Sequence, residues 1–122
     1  MRRIHNSFVA LTLIVKRRLA QRLQSFGLTQ PQFSTLAALS AHQKACTMSD
    51  LTDVTFQDAP TMTGIINRLV KMKLVQRTRS ETDRRVVLVQ IAPTGSELVK
   101  QIEEKIFHDD LSGYAALTDD DL

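Results

Sequence analysis

With 122 residues, 43% of them hydrophobic, the chain can bury one modest core, so a single domain is expected. One cysteine, Cys46, excludes an intrachain disulfide, and the scattered His5, His42 and His108 have neither a paired carboxylate nor a glycine-rich phosphate loop to work with, so catalysis has no support. The net charge of +3 hides a gradient: residues 1–92 hold 14 Lys+Arg against 5 Asp+Glu, net +9, and residues 93–122 hold 2 against 8, net −6. A basic body attracts a polyanion, and an acidic tail should point away from it.

In chain order, Ile4, Phe8, Leu11, Val15, Leu19, Leu23 and Phe26 recur in steps of three and four, which predicts one long first helix ending before Gly27. Val9, Leu13 and Ile14 widen its stripe, as expected of a helix with two partners, its own domain and a second subunit. Lys16, Arg17, Arg18 and Arg22 cover the remaining face, either solvated or turned to a phosphate backbone. The Phe8–Val15 run is too short to span a bilayer and no small-residue cleavage site follows it, so a soluble, cytoplasmic protein is expected.

Thr29-Gln-Pro-Gln32 fits a capping box, starting a second helix near Gln30 that carries Phe33, Leu36, Ala37 and Leu39. Ser49 is the expected cap of a short third helix bearing Leu51, Val54 and Phe56. After a turn at residues 57–59, Pro60 sits in the first turn of a fourth helix, where its missing N–H is not needed. Apolar positions 62, 65, 66, 69 and 72 share one side of that helix. Pro60, Thr63, Gly64, Asn67 and Lys71 fall opposite, with Arg68 at the edge. Two helices joined by a tight turn, the second facing outward with small, amide and cationic groups, describe a helix-turn-helix for the major groove.

Leu74–Arg77 and Val86–Ile91 are short β-branched runs around a polar segment, which predicts a hairpin with the tip Asp83-Arg84-Arg85. Leu98, Val99, Ile102 and Ile106 mark a fifth helix after Pro93, interrupted at Gly113 and Tyr114. Thr118 and the aspartates after it read as the start of a further helix. The fold expected is mainly α with a small β-hairpin, a single winged helix-turn-helix domain over 1–122. Within it, 1–27 and 93–122 are dimerisation helices and 28–92 is the DNA-binding lobe.

Each residue type in the fourth helix and wing has a specific use. Asn67 can pair with adenine through both ends of its amide. Thr61 and Thr63 lie in the first turn, where hydroxyls and free helix amides meet phosphate. Arg68 and Lys71 are suited to phosphates, with Arg68 alternatively bracing the domain against an acid. In the wing, Asp83 is read as a brace that holds one of Arg84 and Arg85 and frees the other for DNA, while Arg79 offers another phosphate contact. His42 and Cys46 are four residues apart, but two ligands do not make a metal site, and neither a metal nor a cofactor is expected.

Leu28-Thr-Gln-Pro-Gln-Phe33, Thr61–Leu69, the Leu74-Val75-x-Arg77 strand, and Asp83-Arg84-Arg85 ahead of a strand and Thr94-Gly95 together resemble the MarR family of bacterial winged helix-turn-helix regulators, over about residues 27–105. That resemblance implies a homodimer with interlocked first and last helices, two recognition helices on successive major grooves of a pseudo-palindromic operator, and wing arginines in the adjacent minor groove. It further implies a repressor released by a small aromatic or phenolic effector. Gly64 stands where the family often has a long cation, Lys73 replaces a common helix-ending glycine, and Ala92 replaces a threonine cap. The family's final dimerisation helix would begin where the chain stops, so either the chain is truncated or the first and fifth helices dimerise it. A winged-helix interaction module without DNA, and a thiol sensor built on Cys46, are the alternative functions. Sensing cysteines of relatives sit in the first helix, unlike Cys46.

Overall fold

A computed structural model describes residues 14, 17–42 and 44–120, with only the helical backbone given for 107 and 109–120. The first helix, α1, is described over 17–25, and Leu19, Leu23 and Phe26 of its predicted stripe turn inward. The stripe residues before Ile14, and Val15 and Lys16, lie outside the described residues. Helix α1 ends as predicted: Gly27 takes φ 76°, its N–H donates to the Gln24 carbonyl at 3.0 Å, and the Leu28 N–H reaches back to the Leu23 carbonyl at 3.1 Å. This pair of bonds satisfies the carbonyls at the end of the helix, and it needs a left-handed residue that glycine supplies without steric cost.

Helix α2 (Gln30–His42) starts with the expected capping box, the Thr29 N–H donating to Gln32 Oε1 at 2.9 Å and the Gln32 N–H to Thr29 Oγ1 at 3.3 Å. A two-residue strand β1 (Cys46–Thr47), which the hydropathy pattern is too short to reveal, runs directly into α3 (Met48–Thr55). The cap of α3 is Thr47 and not Ser49. Thr47 is held in extended backbone by pairing with Leu88, and it exchanges two 3.1 Å bonds with Asp50, so the helix starts at Met48. Of the three apolar residues assigned to α3, only Leu51 is buried. Val54 is 49% exposed and Phe56 94%, because Phe56 takes the left-handed position after the last turn (φ 58°) and leaves the buried stripe.

Helix α4 (Ala59–Lys71) buries Met62, Ile65, Ile66 and Leu69, with Met72 half-buried, as the periodicity predicts. Strands β2 (Val75–Arg79) and β3 (Val87–Ile91) pair antiparallel from Val75↔Ile91 to Arg79↔Val87, and β1 joins the far edge of β3, giving the sheet order β1-β3-β2. The hairpin therefore extends two residues beyond the predicted Arg77. Its central strand anchors the sheet to the helices through the fully buried Val89.

Helix α5 (Pro93–Asp120) packs Val99 and Ile102 into a core shared with Leu23, Leu36, Leu39, Leu51, Met62, Ile66 and Leu69. It runs unbroken through Gly113 and Tyr114, and Thr118 lies inside it instead of capping a new helix. One glycine inside a helix costs about 1 kcal/mol, too little to end a long one when residues on both sides continue the hydrogen bonding. Two backbone details lock α5 to the hairpin. The Ala92 N–H donates to the Leu74 carbonyl at 2.9 Å and the Thr94 hydroxyl to the Lys73 carbonyl at 2.6 Å, so the lysine standing in the glycine position is held at φ 63°. Gly95 lies so close to the Leu74 carbonyl that a Cβ there would overlap it.

Candidate nucleic-acid interface

The outward side of α4 is built by its inward side. Once Met62, Ile65, Ile66 and Leu69 are buried, the 100° step between residues leaves Pro60, Thr61, Thr63, Gly64, Asn67, Arg68 and Lys71 exposed, as anticipated. Arg68 and Lys71 occupy the last turn, where cations also complement the helix dipole. Among the described residues nothing lies within 4 Å of a Cβ built on Gly64, so packing against them does not demand the glycine.

The first turn is less open than expected. Asp58, not recognised from the sequence, caps α4, its Oδ1 accepting the Thr61 N–H at 2.7 Å. That main-chain bond, with a second from the Thr61 side chain, holds the Asp58 carboxyl below its ordinary value despite slight desolvation. Thr63 spends its hydroxyl proton on the Ala59 carbonyl at 2.9 Å. The Thr61 amide is thus occupied, and a carboxylate stands where a phosphate was expected to approach. The approach of a polyanion is favoured further along the helix, at residues 64, 67, 68 and 71.

There an open groove of about 440 Å³ is lined by Gly64, Asn67, Arg68, Val70, Lys71 and Arg77. Arg77, on β2, was singled out in the sequence only as part of a strand motif. Its Nη1 donates to Asn67 Oδ1 at 2.7 Å, which joins the wing's first strand to the middle of α4. No spacing rule finds this pair, because it is set by how the strand folds back beside the helix. Among the described residues Arg68 forms no bond to an acid, so the brace considered for it is not seen there.

The wing tip is ordered by its own hydrogen bonds. Ser80 Oγ accepts the N–H groups of Thr82 and Asp83, each at 3.3 Å, and the Val86 N–H donates to the Asp83 carbonyl at 3.0 Å. Asp83 does brace the tip, but not by clamping a guanidinium: its Oδ1 accepts the Arg85 main-chain N–H at 3.1 Å. A short side chain two residues before an amide closes such a turn locally, and this contact wins over reaching for a flexible guanidinium. Arg79 likewise serves as a strut, Nη1 donating to the Arg84 carbonyl at 2.8 Å. Only the main chain of Arg84 and Arg85 is held. Both side chains are exposed and unpaired among the described residues.

Cys46 is 6% exposed, and burial, aided by the negative charge of Asp50, raises its thiol above the ordinary value. A thiol kept protonated in this way is a poor nucleophile, which argues against the sensor alternative.

An amide-bearing helix with free cations, braced by an ordered arginine-tipped hairpin on the same lobe, defines a winged helix-turn-helix DNA-binding protein. The sequence signature of the MarR family matches residues 26–86. An uncharacterized HTH-type transcriptional regulator of Bacillus subtilis, YsmB, is 28% identical over 84% of this chain and 69% of its own length. The HTH-type transcriptional repressor NicR of Pseudomonas putida is 38% identical over 59% of this chain and 45% of its own. A mutant of Staphylococcus aureus MepR bound to an oligodeoxyribonucleotide shares the fold, with a TM-score of 0.80 and 24% identity over 93% of this chain and 82% of that one. The chain belongs to the MarR family and is a DNA-binding transcriptional regulator. Among the described residues no helix is long and apolar enough to cross a membrane.

Proposed function

We propose that the protein is a homodimeric, cytoplasmic repressor that reads a pseudo-palindromic operator and is released by a small molecule. In this reading α4 enters the major groove with Asn67, Arg68 and Lys71, and the wing carries Arg84 and Arg85 to the adjacent minor groove, with half-sites about 10 base pairs apart. The observation that carries it is the state of the cations. Among the described residues Arg68, Lys71, Arg84 and Arg85 are exposed and uncommitted, while the nearby carboxylates of Asp58 and Asp83 are tied to main-chain amides. A surface so arranged presents positive charge outward with little internal neutralisation.

Dimerisation through 1–27 and 93–122 is supported by the 49% exposure of the helical Ile14 and by the length of α5, which runs for 28 residues although its far end was expected to break. An effector would act by shifting the population of lobe separations that fit DNA. The NicR and MepR likenesses support the repressor and DNA roles, since those proteins are named as a repressor and as bound to an oligonucleotide.

The test is selection of bound fragments from random DNA, with the mass of the free protein measured in solution. An enriched inverted repeat and a dimer are expected, and Asn67→Ala should relax selection at one base position per half-site. Enrichment of a sequence without two-fold symmetry, or a monomer, would refute the dimeric reading.

A further inference from the structure

We infer that Arg77 is a specificity-determining positioning residue, one that turns Asn67 from a reader of adenine into a reader of hydrogen-bond acceptors, with guanine preferred. The inference rests on the proposed placement of α4 in the major groove. An arginine side chain carries only donors, so the Asn67 atom it meets at 2.7 Å must be the carbonyl oxygen, whichever way the amide is first placed. The amino end of the planar amide then points away from Arg77. Asn67 is exposed, so that end is open to a ligand.

Adenine presents N7 as acceptor and N6 as donor, and bidentate pairing needs both ends of an amide. Here the oxygen is engaged by a cation, and an N6 amino group would bring its partial positive charge beside the guanidinium. Guanine presents two acceptors, N7 and O6, both compatible with the free amino group and with the cation behind it. Cytosine offers only an amino donor on that edge and is the worst match. Nothing else among the described residues competes for the amide, and Gly64, one turn earlier on the same wall of the groove, adds no side chain to hold a base away.

The experiment measures affinity for the selected operator and for its three variants at the base position that Asn67→Ala relaxes, using the full chain. Wild-type protein should prefer guanine to adenine there by about tenfold. Arg77→Met keeps the stem but removes the donors, so the preference should move toward adenine; Arg77→Lys, which can still donate to the oxygen, should retain guanine. In an Asn67→Ala background Arg77→Met should leave base preference at that position unchanged. Thermal melts serve as the folding control, and Arg77 is exposed. A purely structural role would lower affinity for all four sequences alike, and that result overturns the inference, as does an adenine preference in the wild type that Arg77→Met leaves in place. If a sequence is enriched but Asn67→Ala relaxes no position, the inference fails while DNA reading stands. If no sequence is enriched, the DNA reading itself fails and takes the inference with it.

Discussion

Removing both wing arginines offers the sharpest quantitative check on the interface. In Arg84→Ala/Arg85→Ala the main-chain bonds that shape the tip remain, because Asp83 holds the residue 85 amide and Arg79 the residue 84 carbonyl. The loss is confined to two exposed charges per protomer. A dimer that brings all four to the DNA phosphate field should lose up to four contacts, each contributing about 0.9 to the slope of log affinity against log salt, so the slope should flatten by up to about 3.6. Between about 50 and 200 mM salt, the wild type should then lose roughly 150-fold more affinity than the variant. Fluorescence anisotropy with a labelled operator at four or five salt concentrations reads this directly, and the melting temperature should stay within a degree or two because surface changes of this kind are nearly neutral. Parallel salt plots for the two proteins, with equal melting temperatures, would refute the claim that these arginines face DNA.

Three further outcomes follow from the packing and from the titratable groups. Gly95→Ala drives a Cβ into the Leu74 carbonyl, which also accepts the Ala92 amide, so urea denaturation should show a loss of about 3 kcal/mol, at the upper end for overpacking; an unchanged midpoint would mean that α5 does not seat this closely. Asp58 has a depressed folded-state pKa, so its cap contributes stability above the ordinary carboxylate range and loses it as pH falls through the lowered value. Asp58→Ala should therefore melt lower than wild type at neutral pH, with the gap closing in acid, and a gap that stays constant with pH would contradict the charged cap. Cys46 in the folded protein should react with iodoacetamide far more slowly than a free thiol at neutral pH and speed up only on unfolding; rapid modification of the native protein would revive the sensor alternative.

Much of the interface was legible from local rules. The 3.6-residue period of Met62, Ile65, Ile66 and Leu69 assigned the outward set on α4, the Thr29/Gln32 box started α2, and Gly27 ended α1, each of them borne out. The misreadings came where two local signals competed. Ser49 and Thr47 are both good caps, and only the pairing of Thr47 with Leu88 in β1 selects between them. Phe56 looked like core by hydrophobicity alone, yet a left-handed turn places it outside. Gly113-Tyr114 and Thr118 carry real breaker and cap preferences, but each is worth only about 1 kcal/mol, and the continuing helix overrides them.

Within one element, then, residue order settled which face of α4 is polar, where the hairpin turns and where positive charge accumulates, because those depend on periodicities that span a few residues. Which hydrogen bonds those polar groups still have free was decided by folding. Arg77 meets Asn67 across ten residues, Arg79 and Asp83 turn into struts for the tip, and Asp58 occupies the Thr61 amide in the first turn of the helix. A donor or acceptor engages the partner that comes within about 3 Å, and for groups on separate elements that distance exists only once strand and helix have packed against their common core.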